Sequence, residues 1–133
     1  MNILLDTHIA LWLLSDDARL SDTARNLIQN PDNEIFYSVI SMWEVSIKHS
    51  AGKNMPISGK EFLLYCEAAG FRKLELDSSH VFNLENLTPK ENSEEHKDPF
   101  DRILLAQAKA EGMILLTHDR KFSTWAEKCY LVV

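Results

Sequence analysis

Short apolar segments with strand character alternate with helical segments along this chain of 133 residues. Two neighbouring parallel strands must be joined by a long crossover, which is usually a helix. The alternation therefore predicts an α/β fold, a three-layer sandwich with a central parallel sheet of about four to five strands flanked by helices on both faces. The predicted strands are Asn2–Leu5, Glu34–Ser38, Leu74–Leu76, Met113–Thr117 and Tyr130–Val133.

Residues that favour helix ends mark most of the predicted helices. Ser21 precedes a helix that Asn30-Pro31 ends, and Asp98-Pro99 opens another that runs to Ala110. Residues 88–97 are polar and are predicted to form a loop. The other predicted helices are Thr7–Leu14, Ser41–His49, Ser58–Ala69, Ser78–Leu87 and Arg120–Glu127. Large apolar residues at helical spacing are expected in the core, namely Trp12, Trp43, Phe62, Leu63 and Phe100.

The length fits a single domain over residues 1–133 with a core of useful size. No apolar run approaches the ~20 residues that cross a bilayer, and the first residues lack the Lys or Arg of a secretory signal. Cys66 and Cys129 have no zinc-site spacing and are expected to be reduced thiols. Together these features predict a cytoplasmic protein.

The formal charge of −6 follows from 14 Lys and Arg against 20 Asp and Glu. An acidic chain is not an obvious binder of nucleic acid. That objection weakens if several acids surround bound metal ions, because the cations invert the local field. The placement of the acids therefore decides which interpretation holds.

Five acids are predicted at the edge of the sheet where open parallel sheets bind ligands, beyond the carboxyl ends of the strands. They are Asp6 directly after the first strand, Glu44 in the first turn of the Ser41 helix, Asp98 and Asp101 in the first turn of the Pro99 helix, and Asp119 two residues past the fourth strand.

Converging carboxylates repel one another unless cations lie among them. Oxygen ligands without a Cys or His partner suit Mg²⁺ or Mn²⁺ and not Zn²⁺. One or two such ions activate a water molecule and stabilise the leaving oxygen of a phosphodiester, with no need for a protein nucleophile. The acids therefore predict a Mg²⁺- or Mn²⁺-dependent nuclease that hydrolyses its substrate with a metal-activated water.

The first two acids also have structural interpretations. Asp6 would cap the following helix, but Asp is a poor strand residue and this one follows Ile-Leu-Leu, which favours a functional role. Ser41-Met42-Trp43-Glu44 matches a capping box, so the sequence leaves a cap and a metal ligand equally open for Glu44.

The remaining three acids can also be interpreted either as structural residues or as metal ligands. Asp98 fits the N-cap of the Pro99 helix, which leaves Asp101 as the better ligand. Asp119 taken alone is typical of a turn.

The histidines show no ligand spacing, so surface or packing roles are expected even for His96 and His118, which lie near the acids. Candidate phosphate contacts, with solvated surface charge as an equal alternative for each, are Lys48, Lys97, Arg102, Arg120 and Lys121.

Four segments occur in a characteristic order along nearly the whole chain. They are Leu4-Leu5-Asp6-Thr7-His8, then Ser41-x-x-Glu44, then His96-Lys97-Asp98-Pro99-Phe100-Asp101-Arg102 running into Leu104-Leu105-Ala106-Gln107-Ala108, and finally Leu115-Leu116-Thr117-His118-Asp119. The third segment is the most specific of the four. With these segments the chain resembles the PIN domain, and more narrowly the VapC-type toxin ribonucleases of bacterial toxin–antitoxin pairs.

The resemblance implies a PIN-like parallel-sheet fold with an acidic Mg²⁺ or Mn²⁺ site. The family's acidic positions fall on Asp6, Glu44, Asp101 and Asp119, with Thr117 as a hydroxyl position beside them and Asp98 as a further acid of the subgroup. It also implies an endoribonuclease that cleaves structured RNA such as tRNA or rRNA. A homodimer is expected, as is a cognate antitoxin protein that inhibits the enzyme and binds DNA.

Three other classes of protein have a similar length or fold. A signalling receiver domain needs paired acids after the first strand and a Lys after a late strand, and the chain has neither. A phosphatase with a D-x-D nucleophile motif fails because His8 stands in place of the second Asp. A module that binds RNA or protein without cleavage stays open, although the intact acids argue against it, since their repulsion would bring no benefit to binding alone.

Overall fold

The computed structural model describes all 133 residues and is built around a five-stranded sheet. Its strands are β1 (Asn2–Leu5), β2 (Glu34–Ser38), β3 (Arg72–Leu74), β4 (Ile114–Thr117) and β5 (Tyr130–Val132). They lie in the order β3-β2-β1-β4-β5, and every neighbouring pair is parallel. The α/β fold predicted from the alternating pattern is therefore confirmed.

Six α-helices surround the sheet. They are α1 (Thr7–Leu14), α2 (Asp22–Gln29), α3 (Val39–Ser50), α4 (Gly59–Ala68), α5 (Ser78–Asn83) and α6 (Pro99–Glu111). Two short 3₁₀ helices complete the structure at Leu84–Asn86 and Arg120–Thr124. None of these helices combines the length and the apolar character that a membrane span requires.

The central strand β1 is buried on both of its faces. Ile3, Leu4 and Leu5 are all at most 1% exposed. Ile3 and Leu5 join one apolar cluster while Leu4 joins the other, because successive side chains of a strand point to opposite faces. A continuous apolar run is therefore required here, and each such side chain contributes roughly 1.5–3 kcal/mol by burial.

Two helical layers enclose the sheet. Helices α1, α2 and α4 cover one face, where Phe62 and Cys66 are fully buried. Helix α6 covers the other face through Leu104 and Leu105. Helix α3 lies at the end of the sheet between the two layers, since its Ile40 packs in one cluster and its Val45 in the other.

The start of α3 differs from the sequence-based prediction. The helix begins at Val39 because the hydroxyl of Ser38 accepts a hydrogen bond from Ile40 N at 3.0 Å and caps it. The capping box predicted at Ser41 does not form, because Ser41 already lies inside the helix and is fully buried. Glu44 consequently lies beyond the first turn and is not a cap.

Backbone pairing explains two further differences. Strand β3 is Arg72–Leu74 and not Leu74–Leu76, because Leu74 pairs with Ser38, the last residue of β2. The helix predicted over 120–127 stops at Thr124, because Ala126 N donates to Thr88 O at 2.7 Å and draws the backbone away.

The remaining differences concern one helix and one side chain. The helix predicted over 78–87 divides at Leu84 into α5 and a 3₁₀ helix. Trp43 was expected in the core but is 56% exposed. It lies on the outer side of α3, where its ring contacts Phe100 at a centroid distance of 5.2 Å.

Candidate active site

The carboxyl ends of β1 and β4, the middle of α3 and the first turn of α6 meet around one open pocket of about 300 Å³. All five acids singled out in the sequence line it, namely Asp6, Glu44, Asp98, Asp101 and Asp119. The other lining residues are His8, Trp12, Lys48 and His118. The fold thus gathers residues that are up to 113 positions apart, as the sheet topology predicted.

Asp6 is held in place by hydrogen bonds to both of its carboxylate oxygens. Thr7 N donates to Oδ1 at 2.8 Å, and Thr117 Oγ1 donates to Oδ2 at 2.7 Å. The residue is only 4% exposed and still lines the pocket. Asp6 therefore caps α1 and lines the pocket at the same time, so the two roles that the sequence offered as alternatives do not exclude each other.

Glu44 occupies a buried position with partners for each oxygen. Thr7 Oγ1 donates to Oε1 at 2.8 Å and also lies 2.8 Å from the hydroxyl of Ser41. Lys48 Nζ donates to Oε2 at 2.7 Å from one helical turn farther along α3. Lys48 was a candidate for contacts to RNA phosphates, but in this structure it neutralises a pocket carboxylate.

Asp98 and Asp101 share the first turn of α6 but have different surroundings. Asp98 is exposed, and its Oδ1 accepts hydrogen bonds from Phe100 N at 2.9 Å and Asp101 N at 3.2 Å. It is therefore the N-cap that the sequence predicted. The Asp101 side chain is 16% exposed and accepts no backbone hydrogen bond within α6, so it is available to the pocket.

Asp119 and Thr117 bring the end of β4 into the site. Asp119 caps the 3₁₀ helix that follows it by accepting a hydrogen bond from Lys121 N at 2.9 Å. Its own backbone N–H donates to Thr117 Oγ1 at 3.1 Å. The buried Thr117 hydroxyl therefore links Asp6 to Asp119, which agrees with its predicted position beside the acids.

The grouped carboxylates perturb one another. Burial, followed by the negative charges of the other four pocket acids, raises the pKa of Asp101 to about 8. Burial also raises the pKa of Asp6, although hydrogen bonds from Thr117 and Thr7 oppose the change. The metal-free pocket therefore disfavours full ionisation of its acids, and a nearby cation would reverse that preference.

The donor set fits a hard divalent cation. The pocket offers carboxylate oxygens and no thiolate, which suits Mg²⁺ or Mn²⁺. Asp101 and Asp119 each place a carboxylate oxygen within 4.8 Å of the other and of a His96 ring nitrogen. A bound cation would offset both the burial and the repulsion that raise the pKa of Asp101.

The other candidate phosphate contacts lie outside the pocket lining. Lys97 and Arg120 are exposed, and each is the direct sequence neighbour of a pocket acid. Arg102 is partly buried, and its Nε has no hydrogen-bond partner. Lys121 is exposed on the 3₁₀ helix after Asp119. None of these four cations forms an ion pair with a pocket acid.

His96 is the residue of this region that the sequence analysis missed. The sequence predicts a surface or packing role, and the ring is indeed packed, since it is 5% exposed. What the sequence does not predict is that its Nε2 lies 2.8 Å from Asp101 Oδ2. Burial lowers its pKa. Its position two residues before the Asp98 cap was the available signal, since a residue just before a helix start lies near the first turn of that helix.

The fold and the pocket define an α/β domain that collects carboxylates at one edge of a parallel sheet, an arrangement suited to divalent-metal chemistry on phosphodiesters. The family model of the PIN domain matches residues 3–128. The chain therefore belongs to the PIN domain family, whose members are generally nucleases. The resemblance found in the four sequence segments is confirmed at this level.

Solved structures share the same fold at low sequence identity. A chain of the VapBC2 complex from Rickettsia felis, bound to a DNA fragment from its promoter, is 19% identical with a TM-score of 0.66, and the match covers 99% of this chain and 98% of that one. A domain of a functionally unknown protein from Methanocaldococcus jannaschii is 13% identical with a TM-score of 0.55, covering 99% and 90%. No curated protein sequence matches significantly.

Proposed function

We propose that this protein is a metal-dependent endoribonuclease with Mg²⁺ or Mn²⁺ as its cofactor. The observation that carries the proposal is the pocket of about 300 Å³ lined by five carboxylates and only one lysine. Such a concentration of negative charge is unfavourable in a protein that only has to fold. It is useful where a cation must be held against a polyanionic substrate.

The catalytic, metal-binding residues in this proposal are Asp6, Glu44, Asp101 and Asp119, with Asp98 in support. When bound, a divalent cation supplies an activated water and charge stabilisation at the scissile phosphate. Hydrolysis joins the water oxygen to phosphorus and breaks the P–O bond to the leaving oxygen, which takes up a proton. The pocket lining has no Ser, Thr or Cys to act as a nucleophile, in agreement with direct attack by water.

The protein's own groups have separate tasks in this scheme. Thr117 fixes the carboxylate of Asp6 through its 2.7 Å hydrogen bond and restrains the backbone at Asp119. Such preorganisation lowers the cost of holding the reacting groups in place. Lys97, Arg102 and Arg120 each directly adjoin a pocket acid in the sequence, and in this proposal they contact the phosphates of the RNA on either side of the cleaved bond.

The proposal extends to the toxin of a toxin–antitoxin pair, with tRNA or rRNA as the substrate and a cognate antitoxin as the inhibitor. The four sequence segments that resemble VapC-type toxins support it. So does the likeness in fold to a chain of a VapBC2 complex. Expression of the chain alone is expected to arrest growth, and co-expression of an antitoxin encoded beside it is expected to restore growth.

A homodimer is the proposed oligomeric state. Trp43 and Ile47 are 56% and 42% exposed and lie one turn apart on the same side of α3. Exposed aromatic and aliphatic side chains of this kind are typical of association surfaces. Sedimentation velocity of the wild type and of Trp43→Glu tests the assignment, and a monomeric wild type at micromolar concentration would contradict it.

The nuclease proposal is tested by incubating the purified, antitoxin-free protein with total cellular RNA. Three conditions are compared: added Mg²⁺, added Mn²⁺ and excess EDTA. Discrete RNA fragments that require the metal are expected, and end-labelled substrates then locate the cleaved bond. A folded protein that binds RNA but cleaves none under any condition would instead favour a module that only binds.

A further inference from the structure

His96 lies behind Asp101 as seen from the pocket. Its side chain is 2% exposed, and it does not contribute to the pocket lining. Its only hydrogen bond joins Nε2 to Asp101 Oδ2 at 2.8 Å, while Nδ1 is buried without a partner. The ring therefore has one polar contact, and that contact is with a pocket carboxylate.

The orientation of the His96 ring is fixed by packing. It meets the ring of the fully buried Phe122 edge to face, with centroids 4.9 Å apart and an interplanar angle of 82°. Phe122 belongs to the 3₁₀ helix that Asp119 caps. The same ring thus connects the first turn of α6 to the segment that carries Asp119.

Backbone hydrogen bonds hold the loop that carries His96. Lys90 N donates to Thr124 O at 2.8 Å, and Ala126 N donates to Thr88 O at 2.7 Å. Pro89 forms an isolated antiparallel bridge with Trp125. The start of the loop 88–97 is therefore anchored at the C-terminal end of the 3₁₀ helix, six residues before His96.

These contacts have a consequence for the charged form of Asp101. An ionised carboxylate only accepts hydrogen bonds, so its neighbour His96 must then carry the proton on Nε2. The bond occupies Oδ2 and restrains rotation of the carboxylate, which leaves Oδ1 for a cation. Hydrogen-bonded partners of this kind commonly orient ligating carboxylates in metal sites.

We propose that His96 is a positioning residue that holds the Asp101 carboxylate for metal binding through an Nε2–H donor fixed by Phe122. The inference rests on the proposed metal-binding role of Asp101. His96 itself is not a metal ligand in this proposal, because Nε2 is taken by Asp101 and Nδ1 is buried away from the pocket lining.

The test measures Mn²⁺ affinity by electron paramagnetic resonance, which needs no catalytic turnover. His96→Phe keeps a ring against Phe122 and removes the donor, whereas His96→Gln supplies an amide N–H that reaches Asp101. His80→Gln serves as the matched control. His80 is also buried and also bonded to a carboxylate, Glu111 at 2.8 Å, but it lies outside the acid pocket.

His96→Phe is expected to weaken Mn²⁺ binding about 10- to 100-fold, the usual effect of losing such a partner. It is also expected to lower kcat for RNA cleavage at limiting metal with little change in KM. His96→Gln is expected to recover most of the affinity. His80→Gln is expected to lower thermal stability without affecting Mn²⁺ binding in the acid pocket, although His80 lies in a second group of possible ligands with Asp77 and Glu111.

Three results would overturn the assignment in distinguishable ways. Equal Mn²⁺ affinity in wild type and a folded His96→Phe variant would remove the positioning role and leave the metal site intact. A ¹⁴N coupling to bound Mn²⁺ that His96→Phe abolishes would make His96 a direct ligand. Failure of the wild type to bind Mn²⁺ would refute the metal site itself, and the role of His96 with it.

Discussion

Replacing Asp101 with Asn is expected to stabilise the metal-free protein while it removes metal binding. The carboxylate is largely buried among four other acids, and these surroundings raise its pKa from 3.8 to about 8. Asn keeps the shape and still bonds to His96 through its amide group, but it carries no charge. The variant therefore removes the repulsion between residue 101 and the other four acids and retains the packing of its side chain.

The sign of the pH dependence follows from linkage. The folded state binds the Asp101 proton more tightly than the unfolded chain does, so ionisation favours unfolding. Stability conferred by the protonated group is complete below pH 3.8 and declines as the pH rises toward about 8. The difference between the folded and unfolded pKa values corresponds to a loss of roughly 4 kcal/mol in the free energy of unfolding at pH 7. We expect a loss of about 1–3 kcal/mol, because water enters the open pocket and screens the charges.

Thermal unfolding in EDTA between pH 5 and pH 8 measures this effect. We expect Asp101→Asn to raise Tm near pH 7.5 by about 3–10 °C, since each kcal/mol shifts Tm by roughly 3–4 °C in a domain of this size. The wild type is expected to lose stability with rising pH more steeply than the variant. Added Mn²⁺ is expected to stabilise the wild type by about 2.7 kcal/mol at 100 times its Kd, and the variant much less.

Asp32→Asn is the control, because Asp32 is exposed and precedes the start of β2, at the opposite edge of the sheet from the pocket acids. It removes one negative charge and is expected to leave the pH profile unchanged. If Asp101→Asn and Asp32→Asn gave the same Tm and the same pH slope as the wild type, the carboxylates would not repel one another as described. A cation in the pocket would then have no repulsion between carboxylates to relieve.

Three further outcomes follow from other contacts. Lys48→Gln removes the cation bonded to Glu44 at 2.7 Å, so calorimetry is expected to show tighter Mn²⁺ binding, and thermal unfolding a metal-free protein less stable by about 1 kcal/mol. Leu105→Ala creates a cavity at a fully buried site, and urea unfolding is expected to show a loss of about 2–5 kcal/mol. Gly112 has φ +66° at the end of α6, so Gly112→Ala is expected to cost about 1–2 kcal/mol in the same assay.

The order of the elements was predictable because local chemistry and tertiary structure agree over most of the chain. The apolar run of β1 is buried on both faces, which is the situation its composition requires. The Asp98-Pro99 start and the Gly112 end of α6 were marked by residues suited to those positions. The convergence of the acids then followed from the rule that the ends of parallel strands share one edge.

Contacts between residues distant in sequence determine two helix ends and the exposure of one side chain, which local sequence patterns do not predict. Ser38 and Ser41 are both plausible caps, and the burial of Ser41 against Thr7, 34 residues away, settles the choice. The stop at Thr124 depends on pairing with the loop 88–97. The helical period of 3.6 residues places Trp43 on an apolar stripe of α3. It does not reveal that this part of the stripe is exposed to solvent.

The hydrogen-bond partners of individual side chains in the pocket region were likewise not predictable from the sequence. His96 shows no ligand spacing because its partner is a carboxylate and its orientation comes from Phe122, which is distant in sequence. Lys48 was recognised as a cation near the acids, but only the geometry of α3 shows that it is paired with Glu44. Sequence patterns located the site, whereas the partners within it required three-dimensional contacts.

The most direct test of the central claim compares RNA cleavage by the wild type and by Asp6→Asn with saturating Mg²⁺ or Mn²⁺. Asn still accepts the hydrogen bond from Thr7 N and still reaches Thr117, so the fold is expected to persist while one metal-binding charge is lost. We predict discrete cleavage by the wild type and by Asp32→Asn, and at least a 100-fold slower reaction for Asp6→Asn, about 2.7 kcal/mol in the barrier. Cleavage by Asp6→Asn at the wild-type rate would contradict the account, because the reaction would then take place outside the acid pocket.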